Sequence, residues 1–542
     1  MMHHRTPHDV IGPERAELVL RDGIVLVADI YRPANQGLYP VLLMRQPYGR
    51  AIASTVALAH PSWYASHGYI VVVQDVRGCG DSDGDFEAFV NEVEDGAQSL
   101  DWAASLPGCS GKLGLYGFSY QAMTQYLALA GKGRRPDAIA PAMASWMPRD
   151  DWAYEGNAFR LGLNVNWAAQ MAKLKAARND DGEAYSTIDG AGNDRALRDL
   201  LVARPDLSHL RRWIEDDETY WNTVSPGVLL KDDPLDIPVF HTGGWADFFL
   251  EGTWAADAAF RRKNPQTSHL VIGPWTHAPW NRMSGGADMG PEAEFPVDRA
   301  QIAFFDFYLK DKGDRPATAR LFDMGLRRWW TLPSLPPAAD TSFLLSSSGL
   351  AAAMVSDGRL DAGPSSPARD TFVHDPFRPT PLVGGHLGTP SGFADRSAAD
   401  NRADVAVYTT LPFDAATTFI GKVLAEIEIA SLSPGCDVCA TLSLVGPDGA
   451  AKVVSTGYAR IDDAHRTLAR ISLRSICLTV PVGFRLRLSL QGAAAAAFEI
   501  HPGNGVFAPA SDMARRPIPI SIHHGGAAGS RLIMPRVSDD AA

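Results

Sequence analysis

The chain has 542 residues, and at about 100–200 residues per domain it should divide into two to four. Hydrophobic residues make up 46%, charged residues 21%, and the net charge is −12. This balance suits a soluble globular protein with a large core and argues against nucleic acid or an anionic membrane surface as the main partner. Five cysteines, odd in number and sparse, are no disulfide framework.

The first residues, "MMHHRTPHDV", are polar and lack an apolar run, so no signal peptide is expected. With no stretch of 18 or more apolar residues anywhere, no membrane span is expected either, and the default location is cytoplasmic. Residues 16–31 predict two alternating strands around the turn Arg21-Asp22-Gly23. "YPVLLMRQPYG" (39–49) and "GYIVVVQDVRG" (68–78) each carry a continuous apolar run bounded by turn residues, the pattern of parallel strands buried on both faces. Residues 91–106 place Val93, Ala97, Leu100 and Ala104 at helical spacing. "KLGLYGFSYQAMTQYLALAG" (112–131) is a strand that turns into a helix at Ser119. Strand, helix, strand, helix predicts a mostly parallel sheet with helices on both faces, spanning 1–144 in its first part.

Residues 145–235 change character: Trp, Ala, Arg and Asp dominate, with helical periodicity and no clear strand, as in a helical insertion. Strands resume at "IPVFHTGG" (237–244) and "SHLVIGPW" (268–275), and "RAQIAFFDFYLKDK" (299–312) predicts an amphipathic helix closing the second part of the core, 236–320. From 321 to 542, Pro, Gly, Ser and Thr punctuate short alternating segments, which predicts a β-sandwich or jelly roll, with "GPDGA" (446–450) as a hairpin turn. Cys436 and Cys439 sit in an alternating segment and are expected to be small core residues, not a metal or redox pair.

A serine at a sharp strand-to-helix turn is presented at the C-terminal edge of the sheet, beside the outward amides of the new helix. That is the nucleophile elbow of α/β-hydrolases. Gly117 supplies the leading glycine, but position 121 is Gln, so strict G-x-S-x-G fails. A serine nucleophile needs a base and an acid that orients it, in the chain order Ser, acid, His, each after a strand. Asp247 follows one strand and Gly243-Gly244; His277 follows the next. His241 lies inside its strand, His269 starts one at the wrong edge, Asp257 falls on a helix and Asp236 precedes its strand. The oxyanion needs about two donors: the amide of Tyr120 is one. Tyr48, in "MRQPYGR", either donates its hydroxyl as the second or simply packs beside Pro47. Trp146, Trp152 and Trp167 either line an apolar acyl pocket or fill core between cap and sheet. No cofactor and no metal is called for.

With these residues in place, "RQPYGR", "QDVRGCGDSDGDF", "GFSYQA", "GGWADFF" and "GPWTHA", in order, resemble the cocaine esterase/X-Pro dipeptidyl-peptidase (CocE/NonD) family of serine hydrolases. "PFDAATTFIGKV" and "CDVCATLSLVGPDGAAKVVSTGYARI" resemble its non-catalytic jelly-roll domain. The resemblance implies an α/β-hydrolase core, a helical cap inserted at 145–235 and a C-terminal β-domain. It implies Ser119 as nucleophile, His277 as base, Asp247 as orienting acid, and Tyr48 as oxyanion donor beside the Tyr120 amide. Asp75, Arg77 and Asp81 read as a polar scaffold near the elbow. Two departures stand out. Ala122 replaces the last glycine of the family elbow, and Asp247 is followed by Phe248-Phe249-Leu250 where the α-amino-acid ester hydrolase branch carries carboxylates that bind an ammonium. Asp150, Asp151 or Glu155 of the cap are the remaining candidates for an amine.

The expected function is hydrolysis of a small-molecule carboxylic ester through an acyl-enzyme. X-Pro dipeptidyl-peptidase or amide cleavage by the same residues is the alternative, and a carbohydrate-binding protein with a vestigial elbow is the reading from another class. Sandwich edges and the acidic charge permit a homodimer.

Overall fold

The computed structural model describes residues 8–53, 55, 57–361, 363, 366–504, 514–525 and 529–538; residues 1–7, which hold most of the polar N-terminal stretch, lie outside them. The continuous apolar runs form strands Tyr39–Gln46 and Ile70–Asp75, buried along almost their whole length. They pair in parallel, from Val41 opposite Ile70 to Gln46 opposite Asp75. The parallel run continues through Cys109–Phe118, Ala138–Ala142, Val239–Ala246, Ser268–Thr276 and Ala319–Asp323. The hairpin Val10–Val19/Val25–Pro33 adds antiparallel to one edge and Arg328–Leu332 to the other, giving ten strands.

Alternation along each strand splits the core into two layers. Leu43, Leu113 and Leu115 face helices Glu92–Ala104, Tyr120–Leu129 and Leu250–Lys263. Leu42, Met44 and Tyr116 face the other way, onto helices Pro61–Ser66 and Val297–Lys310. The sheet does not stop at 320: the strand Ala319–Asp323 and its antiparallel partner Arg328–Leu332 extend it. The ring of Trp329 covers that edge by packing on Trp275 and Phe295 at 5.8 and 5.4 Å.

The inserted segment is built from six helices between Leu161 and Leu229. Its many Asp and Asn residues have a local task. Asp181, Asn193 and Asp217 each accept the backbone N–H groups that begin a helix. The segment is not wholly helical: a π-helical turn, Arg149–Ala153, leads into a small hairpin, Tyr154–Glu155 and Ala158–Phe159.

The remainder is an all-β domain whose described strands pair antiparallel except where Gly358–Asp361 meets Val405–Thr409. Residues 446–450 close the hairpin between Cys436–Val445 and Ala451–Ile461. Cys436 and Cys439 are buried in the first of these strands, and burial pushes both thiols up to about 12. The chain is therefore an α/β-hydrolase core carrying an inserted cap and a C-terminal β-domain. Core and β-domain share one apolar cluster, in which Trp245, Leu270 and Phe322 meet Phe419, Leu478 and Ile520.

A charged clamp ties the cap to the β-domain. Glu155 Oε2 accepts from Arg160 at 3.0 Å and from Arg474 at 2.8 Å, and His386 Nε2 lies 2.8 Å away. All four side chains are buried. Burial pushes the Glu155 carboxyl up, and Arg474, His386 and Arg160 around it together more than reverse this. Burial holds His386 neutral, at about 4. Glu155→Gln leaves two buried guanidinium groups without their counter-charge, at a cost of about 3–5 kcal/mol. Scanning calorimetry should show a clear fall in unfolding temperature; an unchanged transition would contradict this reading of the clamp.

Candidate active site

Strand Cys109–Phe118 ends and helix Tyr120–Leu129 begins with a single residue between them, Ser119. So sharp a reversal forces Ser119 to φ 61° and ψ −121°, a conformation that costs a non-glycine residue about 1–3 kcal/mol. Its backbone is held from both sides. The Ser119 N–H donates to Ala142 O at 2.9 Å, and Ser119 O accepts from Ala122 and Met123 at 2.9 and 3.1 Å. Gly117 is needed here: its φ is +149°, and a Cβ would lie 2.5 Å from Cβ of Gln121. Ala122 is fully buried against the sheet, so alanine fits where the family pattern has glycine. As first residue of the helix, Tyr120 has no intrahelical acceptor for its N–H.

The other two residues arrive by register. Strands Val239–Ala246 and Ser268–Thr276 are parallel neighbours with Ala246 opposite Thr276, so Asp247 and His277 leave the sheet side by side. His277 Nδ1 lies 2.7 Å from Asp247 Oδ1, and its Nε2 lies 3.1 Å from Ser119 Oγ. A carboxylate only accepts, so Nδ1 carries the proton and Nε2 is free to accept from the serine hydroxyl. Asp247 is fully buried, and among the described residues its Oδ2 has no hydrogen-bond partner. The imidazole is packed between Phe118 and Phe248, with ring centroids at 4.6 and 4.1 Å. His241 is a buried core residue packed against Tyr126 and edge-on to Phe260, and His269 bonds Tyr308 and Ala317 O at the far edge.

Ser119 and His277 open into a cavity of about 530 Å³. Tyr48, Trp152, Trp167, Phe248 and Phe249 form much of its wall, and among the described residues no Asp, Glu, Lys or Arg lines it. Trp146 is not part of it, contrary to the expectation for this residue. It stands at the very start of the cap segment, between strand Ala138–Ala142 and the turn Arg149–Ala153, and its ring turns into the core against Tyr126 and Phe260 at 5.2 and 6.3 Å. The cap acids are committed elsewhere. Asp150 pairs with Arg149, Glu155 sits in the clamp, and Asp151 accepts from the backbone of Trp146 and Met147 and from the Ser145 hydroxyl.

Tyr48 lies in this wall and does more than pack on Pro47. Its backbone N–H donates to Gln46 Oε1 at 2.7 Å, Gln46 donates to Asp75 Oδ1 at 2.6 Å, and Asp75 is fixed by Arg50. Arg50 also pairs with Asp29 and Asp81, and Arg77 pairs with Asp95 and Asp22. Burial pushes the Tyr48 phenol up to about 12, so it stays a hydroxyl donor at neutral pH. The Tyr120 side chain points to structure instead: its hydroxyl donates to buried Glu92, which pairs with Arg45 at 2.6 Å.

Sequence reasoning missed Phe118 and Phe248 as the imidazole's walls, and it missed Leu163, Asn166 and Gln170, which line the cavity with Trp167. A signal was present for the last three. Together with Trp167 they fall at i, i+3, i+4 and i+7 on helix Leu161–Arg178, one face of about two turns. Among the described residues, no group of three or more His, Cys, Asp or Glu side chains is arranged to hold a metal ion.

The profile of X-Pro dipeptidyl-peptidase (S15 family) covers residues 22–279, and that of the X-Pro dipeptidyl-peptidase C-terminal non-catalytic domain covers 311–533. Cocaine esterase of Rhodococcus sp. (strain MB1 Bresler) is 30% identical over 475 residues, 82% of each chain. Two solved structures share the fold: an α-amino acid ester hydrolase (TM-score 0.82, 19% identity, 99% of this chain and 98% of that one) and an aminopeptidase from a marine sediment Thaumarchaeota archaeon (0.81, 20%, 99% and 98%). The chain belongs to the cocaine esterase/X-Pro dipeptidyl-peptidase (CocE/NonD) family and is a serine hydrolase.

Proposed function

We propose that the protein hydrolyses carboxylic esters of small molecules through a covalent acyl-enzyme, with Ser119, His277 and Asp247 as its triad. The observation that carries this is the imidazole bridging hydroxyl and carboxylate at 3.1 and 2.7 Å. Ser119 Oγ attacks the ester carbonyl while His277 Nε2 takes its proton. Asp247 keeps the imidazole in the required tautomer and stabilises the imidazolium. The Tyr120 N–H and the Tyr48 hydroxyl receive the oxyanion, each worth about 100–1000-fold in rate. His277 then protonates the departing alcohol, and later draws a proton from the water that attacks the acyl-serine.

The choice of ester over peptide rests on the cavity wall. A dipeptidyl-peptidase must hold a free N-terminal ammonium, and an unpaired cation in an apolar cavity is costly. The lining here is mainly aromatic, aliphatic and amide, and among the described residues no carboxylate lines it to receive the ammonium. Esters with apolar acyl groups are the fitting substrates. Turnover of p-nitrophenyl acetate and butyrate against Ala-Pro-p-nitroanilide is the test. The esters are expected to be cleaved and the anilide not; activity on the anilide alone would overturn the ester reading.

A further inference from the structure

We propose that Trp167 is a positioning residue for the oxyanion donor: its indole N–H donates to the phenolic oxygen of Tyr48 and leaves the phenol's own proton for the substrate. The inference rests on Tyr48 acting as that donor. Trp167 Nε1 lies 3.2 Å from Tyr48 Oη. Indole nitrogen can only donate, so the phenol must accept, and its hydrogen is turned away from Trp167. Among the described residues, no acceptor takes that hydrogen. A phenol in an apolar wall with an unspent proton is arranged to meet an acceptor that arrives with the reaction.

Both ends of Tyr48 are thus fixed, by different domains. The Gln46–Asp75 chain of the core pins its backbone, while the cap helix Leu161–Arg178 pins its hydroxyl. Trp167 is itself immobilised, packed on Trp152 at 4.9 Å, His209 at 4.6 Å and Trp213 at 5.6 Å. A phenol that accepts one hydrogen bond becomes a better donor of another. The bond to Trp167 also works against the burial that raises the phenol. The oxyanion site is therefore completed by the cap.

The test is a double-mutant cycle on p-nitrophenyl acetate, whose small acyl group is little affected by the shape of the wall. Trp167→Phe keeps an aromatic ring and removes the N–H. It is expected to lower kcat about 5- to 10-fold with KM little changed, the size of one hydrogen bond. Tyr48→Phe is expected to lower kcat about 100-fold or more, and Trp167→Phe should then cost nothing further. If Tyr48→Phe leaves kcat unchanged, the assignment of Tyr48 as donor fails. If Tyr48→Phe is slow but Trp167→Phe costs the same with or without the hydroxyl, Trp167 is only a wall and the inference alone is overturned. Should circular dichroism show Trp167→Phe unfolded, the same cycle is run with Trp167→Leu, with the same outcomes.

Discussion

Ser119→Ala is expected to lower ester turnover by about 10⁴- to 10⁶-fold while leaving the fold intact. The prediction separates chemistry from architecture because every structural duty of position 119 belongs to its backbone. The N–H still reaches Ala142 O, and the carbonyl still accepts from Ala122 and Met123. The strained φ of 61° is no worse for alanine than for serine. Only the hydroxyl is lost, and with it the covalent step. The cavity and the groups proposed to receive the oxyanion survive, so a small residual rate above the uncatalysed one should persist. The measurement is initial-rate hydrolysis of p-nitrophenyl butyrate beside the circular dichroism of both proteins. A variant within tenfold of wild type would place the nucleophile elsewhere.

Asp247→Asn should cost about 10⁴-fold in kcat, second only to loss of the nucleophile. Asparagine has the same shape and keeps the packing of a fully buried position. An amide, however, can present its NH₂ to His277 Nδ1. The ring then carries its proton on Nε2, where Ser119 needs an acceptor. The imidazolium also loses its buried counter-charge. The effect should fall on kcat far more than on KM, because Asp247 does not line the substrate cavity. A loss confined to KM would mean that Asp247 shapes the cavity and does not act through His277.

The elements that place these groups were readable because their signals are local. "VLLMR" and "IVVVQ" are apolar without interruption up to a final polar residue, and only a strand covered on both faces tolerates that. The elbow is marked by Gly117 and the abrupt onset of helix after Ser119. Asp247 and His277 could be chosen over His241 and His269 because a parallel sheet delivers its reactive groups at strand ends, and the register of Ala246 with Thr276 meets that rule. The three tryptophans were a different case. Composition puts Trp146, Trp152 and Trp167 in one aromatic segment, but which ring faces the cavity depends on the path of the chain. Trp146 continues from strand Ala138–Ala142 and turns into the core, while Trp152 and Trp167 belong to the cap's own elements.

Long-range polar contacts left no trace in the sequence. Glu155 meets His386 and Arg474 across 231 and 319 residues, and no periodicity records such a meeting. Gln46 lies inside "RQPYGR", but nothing in that motif marked its side chain, whose amide oxygen sets the backbone of Tyr48. The domain limit at 320 rested on a change of composition. The last two strands of the sheet, Ala319–Asp323 and Arg328–Leu332, are short and closely spaced like those of the β-domain, so the pattern turns before the sheet ends.

An active-site fluorophosphonate reports whether the imidazole makes one serine nucleophilic. Intact-mass measurement should show one adduct per chain, peptide mapping should place it on Ser119, and Ser119→Ala and His277→Ala should take up none at the same exposure. A folded wild-type protein that stays unlabelled, or an adduct mapped to another serine, would mean that Ser119 is not the nucleophile.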